Sequence, residues 1–474
     1  MERHDQQGPE DQSDQRLSQE AQKFESMMRG EAHYFFDIFE LDDIFNFYMR
    51  HSKLTKALKL VNHGLKTHPR SEDMYFKRAQ VLFELNKFQE ALRDIDRATE
   101  MNPLQMEYQF LKAEILTQLG EYSQAKAILQ QFLESAERKE EVWYQLGAIA
   151  QLAEKMEEAE GYFLKAIELN PEFEEPVFEL AFVFESQEKL DDAIELYKNY
   201  LNHDPFSSQV WYNLGILYTK LGLYELALDS YDFSLAIEDS FASAWFNRGQ
   251  VLVELERYDE ALKSFLEASV LEKPDAALHY YMAECYEHLL NYPMAVKYYL
   301  RATDNNPAYS DAWLGLAYCM EMQEKFNEAM HFYQKALKID EENFDGWLAY
   351  AVCSYRMGHP ATAYEALDRA LRINSHDVKM WQEWGELLHR DGNKDGAVTF
   401  LEEAIVMNPA AADLYYQLAA YLFELKRWDK GLTNLENGLI LDPAKSYILT
   451  NIFPELINVP SIKAMIQQYN DERL

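Results

Sequence analysis

Glycine, proline, cysteine and basic side chains are all scarce in this chain of 474 residues. There are 17 glycines and 14 prolines, and half of the prolines recur at one repeated position, so no flexible internal linker is predicted. The 45 Lys and Arg are outnumbered by 81 Asp and Glu, which gives a formal net charge of −36. A charge of this size excludes nucleic acids and anionic membranes as expected partners.

Long apolar runs are also missing, and no stretch of the sequence is long enough to span a bilayer. The first residues, MERHDQQGPEDQSDQR, lack the apolar core of a signal peptide, so a cytoplasmic location is expected. The chain has no Gly-rich phosphate loop and no Cys or His spacing typical of a zinc site. We therefore expect no cofactor, no metal and no enzymatic activity.

An alanine recurs every 34 residues without insertion or deletion, and Gly431 takes the twelfth place. The alanines are Ala57, Ala91, Ala125, Ala159, Ala193, Ala227, Ala261, Ala295, Ala329, Ala363 and Ala397. A period of this length is typical of a solenoid, in which one small unit stacks on copies of itself. We number each 34-residue unit so that this alanine is position 20.

Other positions of the unit are restricted too. Position 8 is Ala or Gly in all units but the first, position 24 is large and apolar, and position 4 is Trp or Tyr in eight of twelve units. Apolar stripes at positions 4, 7, 8, 11 and at 17, 20, 24, 27 predict two helices. The small residues allow close approach of the helices, and the aromatic at position 4 is expected to fill the space beside them. Glycine at position 15, as in Gly120, Gly222, Gly358 and Gly392, suits the turn between the helices.

At these residues the chain resembles the tetratricopeptide repeat family. The segment AWFNRGQVLVELERYDEALKSFLEAS, Ala244 to Ser269, is close to that family's consensus. The resemblance covers residues 38–445 and implies an all-α solenoid, a right-handed superhelix of about twelve helix-turn-helix repeats. It also implies a bacterial-type cytoplasmic scaffold made almost wholly of repeats, with the first helix of each pair lining a concave groove.

The ends of the chain depart from the repeat. Residues 1–22 are rich in Gln, Asp and Glu, and we expect a disordered tail. Residues 23–37 are expected to form an N-terminal capping helix, and residues 446–474 a C-terminal capping segment whose last helix begins after Ser461 and runs to about Tyr469. The aromatic segment YFFDIFELDDIFNFYM, Tyr34 to Met49, is interpreted as a buried cap, with a self-association surface as the alternative.

The three cysteines, Cys285, Cys319 and Cys353, all occupy position 10, where other units carry aliphatic residues. Equivalent positions on stacked helices lie ~8–10 Å apart, which is too far for a disulfide. We therefore predict that the cysteines are buried small hydrophobes and not a metal or redox site.

The resemblance places positions 2, 5, 6, 9, 12 and 13 of each first helix in the groove. Position 5 is aromatic in seven consecutive units, and position 6 is asparagine in two of them. The predicted peptide- or protein-binding residues are Phe76, Phe110, Tyr144, Phe178, Tyr212, Asn213, Phe246, Asn247 and Tyr280. The alternative for the aromatic row is packing against a neighbouring side chain. Acids such as Glu114, Glu179, Glu254 and Glu284 favour a basic partner. The alternative is that these acids form a solvated helix face with no partner.

The favoured function is a protein–protein interaction scaffold that binds an extended peptide or partner protein in the concave groove. The alternative is a non-catalytic subunit of an enzyme, secretion or assembly complex, docked through its outer surface or ends. Some family members clamp a C-terminal carboxylate with a Lys/Asn/Asn/Lys/Arg set. Here Gln209, Ala277 and Tyr281 replace the basic residues of that clamp, so this mode of binding is not predicted.

Overall fold

The computed structural model describes residues 9–31, 33–134 and 136–471. All regular structure in these ranges is helical, and no strand occurs in them. The chain divides into two compact units, the first ending at Ile237 and the second beginning at Glu238. The predicted all-α class is therefore confirmed.

The first unit contains thirteen described helices. They are α1 (Pro9–Met28), α2 (Ile38–Arg50), α3 (Leu54–Thr67), α4 (Glu72–Glu84), α5 (Phe88–Met101), α6 (Met106–Gln118), α7 (Tyr122–Phe132), α8 (Lys139–Leu152), α9 (Met156–Leu169), α10 (Glu174–Ser186), α11 (Leu190–Leu201), α12 (Ser208–Lys220) and α13 (Tyr224–Ile237). From α2 onward the even-numbered helices are the first and the odd-numbered helices the second of each pair.

The second unit continues the same alternation and ends in shorter elements. Its described helices are α14 (Ala242–Glu254), α15 (Tyr258–Leu271), α16 (Ala276–His288), α17 (Tyr292–Asn305), α18 (Ser310–Met322), α19 (Phe326–Ile339), α20 (Phe344–Arg356), α21 (Pro360–Ile373), α22 (Val378–Arg390), α23 (Lys394–Met407), α24 (Ala412–Glu424), α25 (Trp428–Leu441), α26 (Tyr447–Ile452) and α27 (Pro460–Asp471). Two 3₁₀ turns, Pro443–Ser446 and Pro454–Asn458, flank α26. The repeat count of twelve and the right-handed superhelix remain predictions.

The turn between the two helices of a pair needs a left-handed residue at position 15. The backbone angle φ is positive at this position in every pair, 69–82° at the four glycines and 53–61° at the eight other residues. Glycine adopts this conformation without steric cost, as predicted for the turn. A residue such as Leu290, with φ of 57°, adopts it against its own preference because the helix pair fixes the backbone on both sides.

Many first helices begin at a capping side chain in position 34 of the preceding unit. Ser71, Ser207, Asp275, Asn343 and Asp377 each accept a hydrogen bond from the backbone N–H three residues later. These bonds satisfy an amide that the helix cannot pair itself.

The core of a helix pair is built by the ring at position 24, which lies against the small residue at position 8. A Cβ added to Gly215 would lie 2.6 Å from the ring of Tyr231, and one added to Gly249 would lie 2.5 Å from the ring of Phe265. This differs from the expectation that the position-4 aromatic fills that space. The second helix presents position 24 directly to the first, whereas position 4 lies near the helix start.

The position-4 tryptophans have a different role. The indole Nε1 of Trp211 donates to the carbonyl oxygen of Pro205 at 3.0 Å, and that of Trp313 donates to Pro307 at 3.0 Å. Trp245, Trp347 and Trp381 also donate to the carbonyl six residues earlier. The ring therefore ties the first helix to the loop that follows the preceding second helix, which explains why position 4 favours an aromatic with a polar tip.

The N-terminal cap differs from its predicted boundaries. The helix α1 starts at Pro9, within the segment predicted to be a disordered tail, and residues 1–8 lie outside the described residues. Leu17, Ala21 and Phe24 recur at helical spacing, and this apolar face packs against α2 and α3. The hydroxyl of Tyr48 donates to the carboxylate of Glu25 at 3.1 Å and reinforces the contact.

The aromatic segment that follows α1 is only partly buried. Phe45 and Tyr48 are buried, as the cap interpretation predicts, but Tyr34, Phe35 and Phe39 are exposed. The self-association surface would consist of these three side chains and remains a prediction.

The C-terminal segment covers the last helix pair. Leu449, Leu456 and Ile462 are buried, and α26 and α27 contact α24 and α25 respectively. The last helix begins at Pro460, one residue before the predicted Ser461 cap, because proline lacks only an amide hydrogen that the first turn leaves unpaired.

Candidate binding face of the first helices

We use the term first-helix face for positions 2, 5, 6, 9, 12 and 13 of the first helices. Within each of the two compact units, the first helices of successive repeats contact each other along this face. The side-chain amide of Gln151 in α8 donates to Glu179 in α10 at 2.9 Å. In the second unit, the guanidinium of Arg356 in α20 donates to Glu321 in α18 at 2.8 Å. The side chains at these positions therefore form a shared surface within each unit.

All seven aromatic residues of the position-5 row are half-buried. Where position 24 is aromatic, its ring packs against the position-5 ring of the same repeat. The ring centroids are 5.9 Å apart for Tyr212 and Tyr231, 5.8 Å for Phe246 and Phe265, and 5.8 Å for Tyr280 and Tyr299. Tyr144 and Phe178 make the same contact with Phe163 and Tyr197. One side of each of these five rings thus belongs to the core, as the packing alternative predicted.

The two predicted asparagines, Asn213 and Asn247, are both half-buried on the face. The amide of Asn213 accepts a hydrogen bond from Gln209 at 3.1 Å and donates to the hydroxyl of Tyr197 at 3.4 Å. Asn213 is therefore held in one orientation by its own helix and by the second helix of the preceding repeat, with part of its hydrogen-bonding capacity already in use.

Two exposed aromatics on the face were missed in the sequence because they stand outside the position-5 row. Phe182 and Tyr318, both at position 9, are 55% and 40% exposed. Position 9 is among the positions that the family resemblance assigns to the groove, and a large apolar residue there was the available signal. Neither ring is used to build the helix pair as the position-24 rings are.

Some carboxylates of the face are paired within the protein. Glu287 accepts a hydrogen bond from the hydroxyl of Tyr299 at 2.8 Å and contacts the thiol of Cys319 at 3.6 Å. Glu321 accepts from the hydroxyl of Tyr333 at 3.0 Å, besides its ion pair with Arg356. These acids at position 12 stabilise the stack of helices and are poor candidates for contacts with a partner.

Other carboxylates of the face have no such partner. Within the described ranges no hydrogen-bond or ion-pair partner lies against the carboxylates of Glu114 and Glu284, both at position 9. Burial raises the pKa of Glu114, and the nearby Glu84 raises it further. Burial also raises the pKa of Glu284 to about 7, with contributions from Glu287, Glu254 and Asp311. A nearby positive charge would therefore stabilise the ionised form of either carboxylate.

The predicted burial of the three cysteines is confirmed. Cys285, Cys319 and Cys353 are fully buried with free thiols, and burial raises the pKa of Cys285 to about 12. A buried, protonated thiol is unreactive, so these side chains act as small hydrophobes. No described helix is both long enough and apolar enough to cross a membrane.

Comparison with known families fits this architecture of paired helices at a fixed period. Sequence models of the tetratricopeptide repeat match residues 76–125, 140–173, 178–237, 236–277, 246–310, 289–344 and 322–383. Together these matches cover more than half of the chain. The chain therefore belongs to the tetratricopeptide repeat family, whose members generally mediate protein–protein interactions.

Several solved structures are similar to part of this chain. YrrB, described as a TPR protein with an unusual peptide-binding site, is 23% identical over 40% of this chain and 96% of its own, with a TM-score of 0.35. MamA is 17% identical over 36% of this chain and 94% of its own, with a TM-score of 0.33. PilF of Pseudomonas aeruginosa is 19% identical over 44% of this chain and 95% of its own, with a TM-score of 0.39. A search of curated proteins gave no match to the chain.

Proposed function

We propose that this chain is a non-enzymatic, cytoplasmic scaffold whose first-helix face holds an extended, basic segment of a partner protein. The residues proposed to contact the partner are the position-5 row and the two asparagines, together with the exposed Phe182 and Tyr318. Within the row, only the side of each ring that faces away from position 24 is available to a partner. The partner-binding role of these residues is an expectation from the family and from their exposure.

The observation that carries the proposal is the environment of Glu284 in the second unit. The ring of Tyr280 lies 5.4 Å from that of Tyr281 and 5.1 Å from that of Tyr309. The carboxylate of Glu284 acts on Tyr280 and Tyr309 electrostatically, which places it beside this ring cluster. A Lys or Arg side chain from a partner would meet both ring faces and carboxylates here.

The energetic argument supports a cation in the partner. At neutral pH the ionised form of Glu284 is disfavoured by burial and by neighbouring acids, which accounts for its raised pKa. An incoming positive charge would offset this cost and favour the ionised form. The same acids should accelerate encounter with a basic segment, while the rings should slow its dissociation.

The proposal can be tested with peptides selected by display on the full chain. We expect the enriched peptides to be rich in Lys and Arg. Binding of one enriched, fluorescein-labelled peptide is then measured by anisotropy for the native protein and for the double variant Glu254→Gln, Glu284→Gln. Loss of two carboxylates should weaken binding by roughly tenfold, about 1.4 kcal/mol, and reduce its dependence on salt.

A matched control changes the net charge equally at another place. Glu267→Gln with Glu272→Gln removes two exposed carboxylates at the end of α15, and this variant should bind as the native protein does. Enrichment of acidic peptides would refute the proposal. So would an equal loss of affinity in both double variants.

Exposed apolar residues on second helices favour the subunit alternative. Phe233 in α13 and Val270 in α15 are 53% and 80% exposed. A large partner complex docked on the second helices would cover such residues and leave the first-helix face open.

A further inference from the structure

In most described repeats of the second unit with a ring at position 4, another side chain covers that ring. The indole of Trp313 stacks on Phe332 with centroids 5.7 Å apart, and the ammonium of Lys335 lies 4.2 Å from the indole. The indole of Trp381 lies 4.5 Å from the ring of Phe400. Phe332 and Phe400 both occupy position 23 of their second helices.

A repeat without a position-23 ring can cover the tryptophan in another way. Position 23 of the Trp245 repeat is Ser264, which accepts a hydrogen bond from Arg248 at 2.7 Å. This bond holds the guanidinium of Arg248 over the indole of Trp245, 5.8 Å from its centroid. Arg248 is at position 7 of the first helix, so that position can replace the missing ring.

The Trp347 repeat has neither a ring at position 23 nor a cationic side chain at position 7. Its position 23 is Ala366, and its position 7 is Tyr350, whose ring meets the indole edge-on at 6.3 Å. The hydroxyl of Tyr350 accepts a hydrogen bond from Gln334 in α19 at 2.7 Å, which holds the ring toward the preceding helix. The indole of Trp347 is fixed by its own bond to the carbonyl of Glu341 at 2.9 Å.

The half-buried indole of Trp347 lines a cavity. Its volume is about 570 Å³, and its apolar wall consists of Leu337, Trp347, Tyr350, Ala366 and Ile373. This volume lies within the usual range for pockets that bury a small group. The space beside the indole is thus the one that a position-23 ring fills in the Trp313 and Trp381 repeats.

The charges around the cavity indicate what kind of group would fit. Lys338, Arg369 and Arg372 line it together with Glu341, Glu342 and Glu365. Three positive and three negative side chains leave no net charge, in a chain whose formal charge is −36. A charged group gains little from such a rim, whereas an uncharged ring gains contact with the indole and the aliphatic wall.

We propose that the cavity over Trp347 is a docking pocket for one aromatic side chain of a partner protein. The incoming ring takes the place that Phe332 and Phe400 hold in neighbouring repeats and stacks on the indole of Trp347. The pocket lies between second helices α19 and α21 and the start of α20, away from the first-helix face. It does not depend on the function proposed for that face.

The test uses the full chain labelled with 5-fluorotryptophan, which gives a fluorine resonance for each of its 8 tryptophans. The Trp347 resonance is assigned with the variant Trp347→Phe. Two probes are titrated at millimolar concentration, acetyl-Gly-Phe-Gly-amide and acetyl-Gly-Leu-Gly-amide. We expect a saturable shift of the Trp347 resonance with the first peptide, at least threefold weaker binding of the second, and no shift of the covered Trp313.

The variant Ala366→Phe supplies the missing ring from within the chain and should abolish the shift while leaving the melting temperature equal or higher. If this variant does not fold, Ala366→Leu fills less of the cavity and should weaken binding in the same direction. No saturable shift of Trp347 in the native protein would overturn the proposal. Equal binding of both peptides, or unaltered binding to a folded Ala366 variant, would overturn it as well.

Discussion

The interior of each helix pair and the first-helix face follow opposite rules. Inside the pair the same contact recurs, since Phe163 lies over Gly147 in the first unit as Phe265 lies over Gly249 in the second. On the face, position 9 is an acid in some repeats and an exposed aromatic in others, as in Glu284 and Tyr318. The interior repeats because the geometry of helix stacking repeats. The face is free of that constraint, so its variation is available for recognition.

The largest expected effect comes from two glycines of one repeat. A Cβ on Gly147 would lie 2.4 Å from the ring of Phe163, whereas a Cβ on Gly161 in α9 would meet no atom within 4 Å. Gly147→Ala should lower the free energy of unfolding by about 1–3 kcal/mol through overpacking. Gly161→Ala should raise it by roughly 0.5–1 kcal/mol because alanine favours the helix.

Urea denaturation of both variants, with hydrogen exchange to locate the change, measures these effects. Nearest-neighbour coupling predicts that faster exchange in Gly147→Ala stays near α8 and α9. Equal effects of the two substitutions would show that the interior is not set by the contact between positions 8 and 24.

A smaller effect is expected on the face, at Glu284. Its pKa is raised from 4.5 to about 7 in the folded protein, so the folded state binds more protons than the unfolded state between these values. The associated stability is complete below about pH 4.5 and is lost as the pH rises through 7. Glu284→Gln should therefore stabilise the protein at pH 8.5, by about 1 kcal/mol because the side chain is only half-buried, and have little effect at pH 4.

Thermal melts across this pH range measure the difference. Glu267→Gln removes an exposed carboxylate of the second unit and serves as the matched control. A stabilisation by Glu284→Gln that is equal at pH 4 and pH 8.5 would mean that the substitution acts through packing and not through charge.

The sequence was sufficient for the fold because the repeat encodes packing directly. Alanine or glycine at positions 8 and 20 and the apolar stripes predicted the helix pairs, and the buried cysteines followed from their place in the register. The register could not show which ring meets which small residue. Position 4 and position 24 are both aromatic, and only the geometry assigns Tyr231 to Gly215 and Trp211 to the carbonyl of Pro205.

The candidate site could be predicted less completely. The aromatic row at position 5 was visible in the sequence. The sequence did not show that one side of each ring packs in the core while the other faces the surface, because this depends on contact with the position-24 ring of the second helix. The lack of a partner for Glu284 and the hydrogen bonds of Asn213 also depend on neighbouring repeats. The helix at residues 9–22 was missed because its few apolar residues, among them Leu17 and Ala21, are diluted by polar ones.

The most direct test of the account asks which face contacts the partner. A photo-reactive benzoylphenylalanine is placed at Phe182 or Tyr318 on the first-helix face, and at Phe233 or Leu271 on second helices as controls of matching exposure, 55% and 40% against 53% and 40%. Each protein is irradiated with the labelled peptide enriched by display. We predict cross-links from positions 182 and 318 only. Cross-links from positions 233 and 271 alone would contradict the account and favour docking through the second helices.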